Sequence, residues 1–383
     1  MIDMDSDMGM RFHLIKRNGI KFVYESMVKA ESAIASFRTD LDLRTGSKPL
    51  SPPVPNVEKA DKIRKVLLAV MRYDFRYNNS MGIDYHYFFD PLSEITDLSL
   101  FDISSFSRIG RREMNERFLQ TVEREDPDLV LSCIVKDELY PETIRYISEN
   151  SSSITCNWFA DDHWRFNHFG RCYAPHFNYC VTVDEVSLDK YRRLGYENVF
   201  MSQWAANPVI YHKLENSALD MEATFVGQNY SNRWELVPKL KKKGVGIQCF
   251  GDGWLNGWIS FEKMVEVYNR SKINLNFSGS ALGPTKQVKA RVFDILSCGG
   301  FLLTEHAPGL ERYYRKGKEI ETFHDIDEAV EIIGYYLDDE EARAQIAEAG
   351  YQRTMKEHTY QHRFRRLFSD ILSESHASSL EKT

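Results

Sequence analysis

The 383-residue sequence is short of cysteine, has no long apolar run and carries no excess of positive charge, and each shortage excludes something. Its six cysteines (Cys133, Cys156, Cys172, Cys180, Cys249 and Cys298) are scattered, with no C-x-x-C pair and no finger-like histidine spacing. Neither a zinc site nor a disulfide framework is indicated, no metal is expected, and a reducing cytoplasm is the expected compartment. No stretch approaches the roughly 20 apolar residues of a membrane span. The opening residues, MIDMDSDMGMRFHLIK, lack the charged-then-apolar order of a secretory signal. A formal net charge of -7 removes the basic stripe on which general nucleic-acid binding depends, so any anionic ligand must be met by local positive groups. The basic runs KLKKKG (239–244) and RFRR (363–366) lie in charge-rich helical stretches. They read as solvated faces, or at most as a peripheral contact with anionic lipid.

What is present is core-forming material. The chain is 43% hydrophobic and 27% charged, with 20 Tyr and 23 Phe. A chain of this length outgrows one hydrophobic core and divides into domains of roughly 150 residues, which implies a cleft. The first 45 or so residues read as one or two helices followed by a Pro-rich link, SKPLSPPVPNVEKAD. From residue 63 strands and helices alternate: KVLLAVMRYD, PDLVLSCIV, SITCNWFADD and NYCVTV as strands, NERFLQTVERED and PETIRYISEN as helices. After NPVIYHKLENSALDM the rhythm restarts with EATFVGQ, a helix SNRWELVPKLKKKG capped by Ser231 or Asn232, then VGIQCFG, KINLNFS and GFLLTE as strands. VKARVFDILSCG is a helix ended by Gly299, and DIDEAVEIIGYYLDD another. The pattern predicts an α/β protein with two Rossmann-like, doubly wound domains facing a cleft. Residues 1–60 form a helical extension and linker, 61–207 the first domain and 208–354 the second. Residues 355–383 form a last helix whose apolar positions Phe364, Leu367, Phe368 and Leu372 seek the first domain.

In open α/β sheets ligands gather at the carboxyl ends of strands, and that rule selects the candidates. Gly227, directly after a strand and ahead of a helix, permits close backbone approach where a helix N-terminus favours an anion; an ordinary turn glycine reads the same way. Lys289 and Arg291 stand at a helix start, where the macrodipole disfavours cations unless an anion sits there; two exposed basic residues on a core helix are an equal reading. Asp294, one turn on, is placed to accept hydrogen bonds from ribose hydroxyls, and Gly299 with Gly300 lets the next strand pack close. In NWFADDHWRF the strand ends in Asp161, Asp162 and His163, groups able to take a proton from an acceptor hydroxyl, with helix capping as the plain alternative. Trp254, in CFGDGWLNGW, either stacks on a nucleobase or is buried between domains. A polar loop around Asn78, Asn79, Ser80 and Gly82 is expected to face the same cleft.

The ordered set FVG, FGDGW, YNRSKINLNFS, K-x-R-VFDILSCGGFLLTE, GLERYYRKGKEIETF and HTYQHR, with NWFADD and VTVDEVSLDKYRRLGYENVFMSQWAANP before it, resembles the CgeB-like family of glycosyltransferases from about residue 65 to 372. The resemblance implies a GT-B arrangement with a nucleoside-diphosphate sugar, of the UDP type, held mainly by the second domain as donor substrate and no separate cofactor. It implies a hydroxyl acceptor (a saccharide, a lipid-linked molecule or a protein) on the first domain. Lys289 and Arg291 then match the basic pair near the donor diphosphate, and Gly227 with Arg233 the phosphate-facing turn. Asp294 stands where the family has Glu, and Lys286 occupies the first position of the E-x7-E pair of related retaining enzymes, so stereochemistry does not carry over. The expectation is a metal-independent glycosyltransferase with Asp162 or a neighbour as base. An epimerase-like enzyme and a non-catalytic nucleotide-sugar binder are the rivals.

Overall fold

The structure, a computed structural model, describes residues 51–55, 62–74, 80–134, 137–280 and 285–380. The expected helices in the first 45 residues, most of the Pro-rich link and part of the Asn78–Gly82 loop lie outside these.

Two parallel sheets organise the chain. The first contains β1 (Lys65–Val70), β4 (Asp97–Asp102), β5 (Leu129–Ser132), β6 (Ile154–Phe159), β7 (Tyr179–Thr182) and β8 (Val199–Met201), in the order β4-β1-β5-β6-β7-β8. A two-stranded ribbon of β2 (Tyr73–Asp74) and β3 (Ser80–Met81) stands beside it. The second sheet contains β9 (Met221–Val226), β10 (Ile247–Phe250), β11 (Ser271–Asn276), β12 (Leu302–Glu305) and β13 (Glu321–Phe323), in the order β10-β9-β11-β12-β13. Every pairing within these two sheets is parallel. The main helices are α1 (Ile83–Ser93), α2 (Arg111–Glu125), α3 (Pro141–Asn150), α4 (Asp162–Arg165), α5 (Glu185–Arg193), α6 (Arg233–Lys242), α7 (Phe261–Arg270), α8 (Ala290–Ser297), α9 (Ile326–Asp338), α10 (Glu340–Glu357) and α11 (Tyr360–Leu380).

The apolar runs are explained by burial on both faces. In β1, Val66, Leu68 and Val70 enter one core while Leu67 and Ala69 enter another on the opposite side, the period-two alternation of a strand. The first of these cores is shared: it joins Trp158 of β6, Val292, Phe293 and Leu296 of α8, and Tyr360, Phe364 and Ile371 of α11. The outer faces are closed separately, by Met114 and Phe118 of α2 in the first sheet and by Val237 of α6 and Ile333 of α9 in the second. α11 is amphipathic and lays its aromatic stripe on the first sheet. Phe364 meets Phe88 edge-on at 5.3 Å and Trp158 at 6.1 Å, and Ser375 bonds the Tyr179 hydroxyl at 2.8 Å.

The strand orders locate the cleft. The chain passes from β1 to β4 on one side and from β4 back across to β5 on the other, and likewise from β9 to β10 and back across to β11. Crevices form where such orders reverse, so the carboxyl ends of β1 and β5 and of β9 and β11 are where ligands are received. Aromatic packing ties the two halves beside those crevices: His86 stacks on Phe261 at 3.7 Å and the Tyr87 hydroxyl donates to Asp294 at 2.8 Å.

Candidate functional site

The second-domain wall is built from the turn after β9. Gly227 closes that strand, and a Cβ there would lie 2.3 Å from Nη2 of Arg291, so only glycine lets the guanidinium rest on the backbone. Gly251, at the end of β10, has φ +121° and would press a Cβ to 2.5 Å from the Gly227 carbonyl oxygen. Trp254 donates its indole N–H to that same carbonyl at 2.7 Å and meets Phe225 edge-on. Its nitrogen is committed to fixing the turn.

Three cations converge on this turn. Arg233, first residue of α6, is 1% exposed; its Nη1 donates to the Gln228 carbonyl at 2.7 Å and its Nη2 to the Phe277 carbonyl at 3.2 Å, and the guanidinium lies 3.9 Å over the Tyr230 ring. Arg291 donates to Asn276 Oδ1 at 2.8 Å and sits 4.9 Å over Phe225. Lys289 is the residue before α8, in extended conformation. Neither α6 nor α8 has its first turn capped by the side chain of the residue before it, although the Arg233 N–H donates to the Tyr230 carbonyl at 3.3 Å and the Val292 N–H to the Lys289 carbonyl at 3.0 Å. Burial pushes Arg233 down to about 10 and Lys289 down to about 8, their mutual repulsion with Arg291 adding to it. Burial alone would raise the Tyr230 phenol, but Arg233, Lys289 and Arg291 around it bring it below its ordinary value. Among the described residues none of the three cations has a carboxylate within ion-pair distance; Glu305, the acid at the end of β12, pairs with Lys286 at 3.0 Å and accepts from the Ser278 N–H at 2.9 Å.

The facing wall is the end of β6. Asp161 is half-buried, and its charge acts on Lys289 across the cleft. His163 is held down to about 3, by burial first and by Lys289 second, so its ring is neutral near pH 7. These two residues and the basic group therefore share one space.

Three expected assignments are corrected. Asp162 does not face the acceptor: it is 1% exposed, accepts from the Tyr191 hydroxyl at 3.0 Å, and lies so close under Gly170 that a Cβ there would touch Oδ1. Burial pushes its carboxyl up to about 7. The segment 162–170 folds back as helical turns, which turns this side chain into the domain interior. Asp294 does not face a ribose: it is 2% exposed and spends one oxygen on Tyr87 between the domains, burial holding its carboxyl well above the usual range. Gly299 lies at the far end of α8, where φ +70° ends the helix against the Lys213 side chain, away from the carboxyl strand ends. Its freedom is used for stopping the helix.

Tyr230, Asn276 and Glu305 were not singled out from sequence. Asn276 and Glu305 are the last residues of β11 and β12, so the strand-end rule that selected Asp161 would have selected them too. Tyr230 is one residue of a polar turn and gives no periodic signal.

Comparison with known proteins agrees with this geometry. Residues 233–369 match the family described as glycosyl transferase-like. The spore protein CgeB of Bacillus subtilis is 22% identical over 206 residues, 47% of this chain and 63% of that protein. The match thus spans less than two thirds of that relative's length. Among solved structures, HepE from Anabaena in complex with UDP-glucose superposes with TM-score 0.53 at 10% identity, over 82% of this chain and all of that one. A sucrose-phosphate synthase from Thermosynechococcus elongatus superposes with TM-score 0.57 at 8% identity, over 81% of this chain and all of that one. Two parallel α/β sheets and these superpositions give the chain the GT-B fold, and residues 233–369 of it are similar to the glycosyl transferase-like family.

Proposed function

We propose that this protein transfers a sugar from a nucleoside-diphosphate donor of the UDP type onto a hydroxyl acceptor, without a metal ion. The observation that carries the reading is the set of three cations, buried Arg233 and half-buried Lys289 and Arg291, gathered at the β9–β11 switch point with, among the described residues, no carboxylate paired to any of them. A buried cation held only by neutral groups is costly, and a diphosphate supplies the missing counter-charge. Fixed positive groups and open helix N-termini are also where negative charge on a departing diphosphate is stabilised, in the role a divalent ion plays elsewhere. HepE, of like fold, has been captured with UDP-glucose, which supports the choice of donor class.

On the facing wall, Asp161 is the group offered to an acceptor hydroxyl, with neutral His163 as its neighbour. Asp162 takes no part. Calorimetry with UDP, UDP-glucose and UMP tests the reading: the diphosphates should bind tightly and UMP much more weakly. Equal affinity for UMP would mean that the cation cluster does not receive the second phosphate.

A further inference from the structure

The first domain holds a second, smaller basic group that donor binding leaves unused. Arg165, at the end of α4, lies with its guanidinium carbon 4.5 Å over the Phe169 ring and 5.4 Å over Trp164. It lines a small recess at the carboxyl ends of β5 and β6 together with Asp161, Ala160, Cys133 and Ile134. Its Nε is buried and has no acceptor, and one turn on the Nε2 of His168 is likewise buried without a partner. Arg165 and Arg171 both act on His168 through their charge. Two carboxylates line the recess with it: Asp162 is engaged by the Tyr191 hydroxyl, and Asp161 is half-buried with no ion pair among the described residues. No ion pair to Arg165 occurs among the described residues.

A guanidinium dehydrated by two aromatic rings, with an Nε–H unspent, is the planar fork that receives an oxyanion bidentately. The donor's diphosphate is already matched by the second domain, so this fork is available to the other substrate. We propose that Arg165 is an acceptor-binding residue, and that the acceptor carries a phosphate or carboxylate close to the hydroxyl presented to Asp161. This rests on the transferase reading above and adds the acceptor's chemical class.

The test uses three small probes that share a vicinal diol, glycerol 3-phosphate, glycerate and glycerol, each titrated into the protein saturated with UDP, so that the donor cations are occupied. UDP binding is measured first. A chain that does not bind UDP fails the transferase reading, whereas one that binds UDP but neither anion fails this proposal alone. Glycerol 3-phosphate and glycerate should bind and glycerol should not, the tighter anion identifying the acceptor's group as phosphate or carboxylate. Arg165→Met should weaken anion binding about tenfold or more, the range for a hydrogen bond to a charged group, with UDP affinity unchanged. Arg165→Lys, which keeps the charge and loses the fork, should fall between. Anion binding in Arg165→Met equal to wild type, or glycerol binding as well as the anions, overturns the assignment. Should Arg165→Met melt early, the wild-type comparison of anions with glycerol and the Arg165→Lys variant decide alone.

Discussion

The two cleft walls are made by the same construction and equipped differently. Each is the switch point of a parallel sheet, yet the second-domain wall is a fixed array. Its cations are held by backbone carbonyls and by Asn276, and its turn is pinned by Trp254. Both walls keep buried polar atoms unspent, Asn232 Oδ1 and Arg233 Nε on the second and His163 Nδ1 and Arg165 Nε on the first, but only the first has its strand-end carboxylate, Asp161, half-buried, Glu305 on the second being buried. An array whose charges are positioned before the ligand arrives suits a constant partner such as a diphosphate. A wall with an accessible carboxylate suits a hydroxyl that must be deprotonated. The family match, confined to residues 233–369, falls on the fixed wall.

The largest expected break in this comparison is the double change Lys289→Ala with Arg291→Ala. Two charge-assisted contacts at about 1.5–3 kcal/mol each predict a loss of UDP affinity of about 10²- to 10⁴-fold. Calorimetry measures it, and the melting temperature should change little, because both residues are half-buried and neither has an ion pair to lose among the described residues. Next in size is Gly227→Ala. The added methyl group would meet Arg291 at 2.3 Å, displacing that guanidinium, and UDP affinity should fall by about tenfold in the same assay while anion binding at Arg165 is untouched.

A pH titration sharpens the contrast further. Lys289 in the free protein loses its proton near pH 8, and only the protonated form attracts a diphosphate. UDP affinity should be flat below that point and fall by up to about tenfold per pH unit above it; Lys289→Met should flatten the curve. The smallest effect on catalysis is expected from Asp162→Asn. As a buried acid whose carboxyl is raised to about 7, Asp162 contributes stability below the ordinary carboxylate range and loses it as pH climbs toward 7. Asn does not ionise, so the variant should gain in melting temperature relative to wild type as pH rises from about 4 to 7. Turnover should change less than about tenfold, below the range for a lost general base.

Most strands and helices were legible because fully buried parallel strands are uninterrupted apolar runs: KVLLAV, LVLS and ITCNWF are all buried apart from Lys65. The elements that were missed broke that pattern. β4, DLSLFD, is an edge strand without fully buried positions. α1, IDYHYFFDPLS, carries Pro91 inside it and is rich in aromatics, which resembles a loop when only periodicity is read. At the site, cations at helix starts could be found because they defy the macrodipole. Which strand-end acid turns outward could not be found: Asp161 and Asp162 are adjacent, and a single residue of helical rotation sends one toward the cleft and the other beneath Gly170. Asp294 shows the same limit, since nothing in VFDILS announces Tyr87 from a helix two hundred residues away as its partner.

The position of α11 has a consequence for how the protein is made. Phe88 and Trp158 are completed as a surface by Tyr360 and Phe364, residues that leave the ribosome some two hundred positions after Trp158. Until they do, the first sheet presents an aromatic face to solvent or to chaperones, although its own strands are already synthesised. A chain cut before residue 360 therefore keeps Phe88 and Trp158 exposed, so the first domain's core is completed only when a helix from beyond the second domain docks on it.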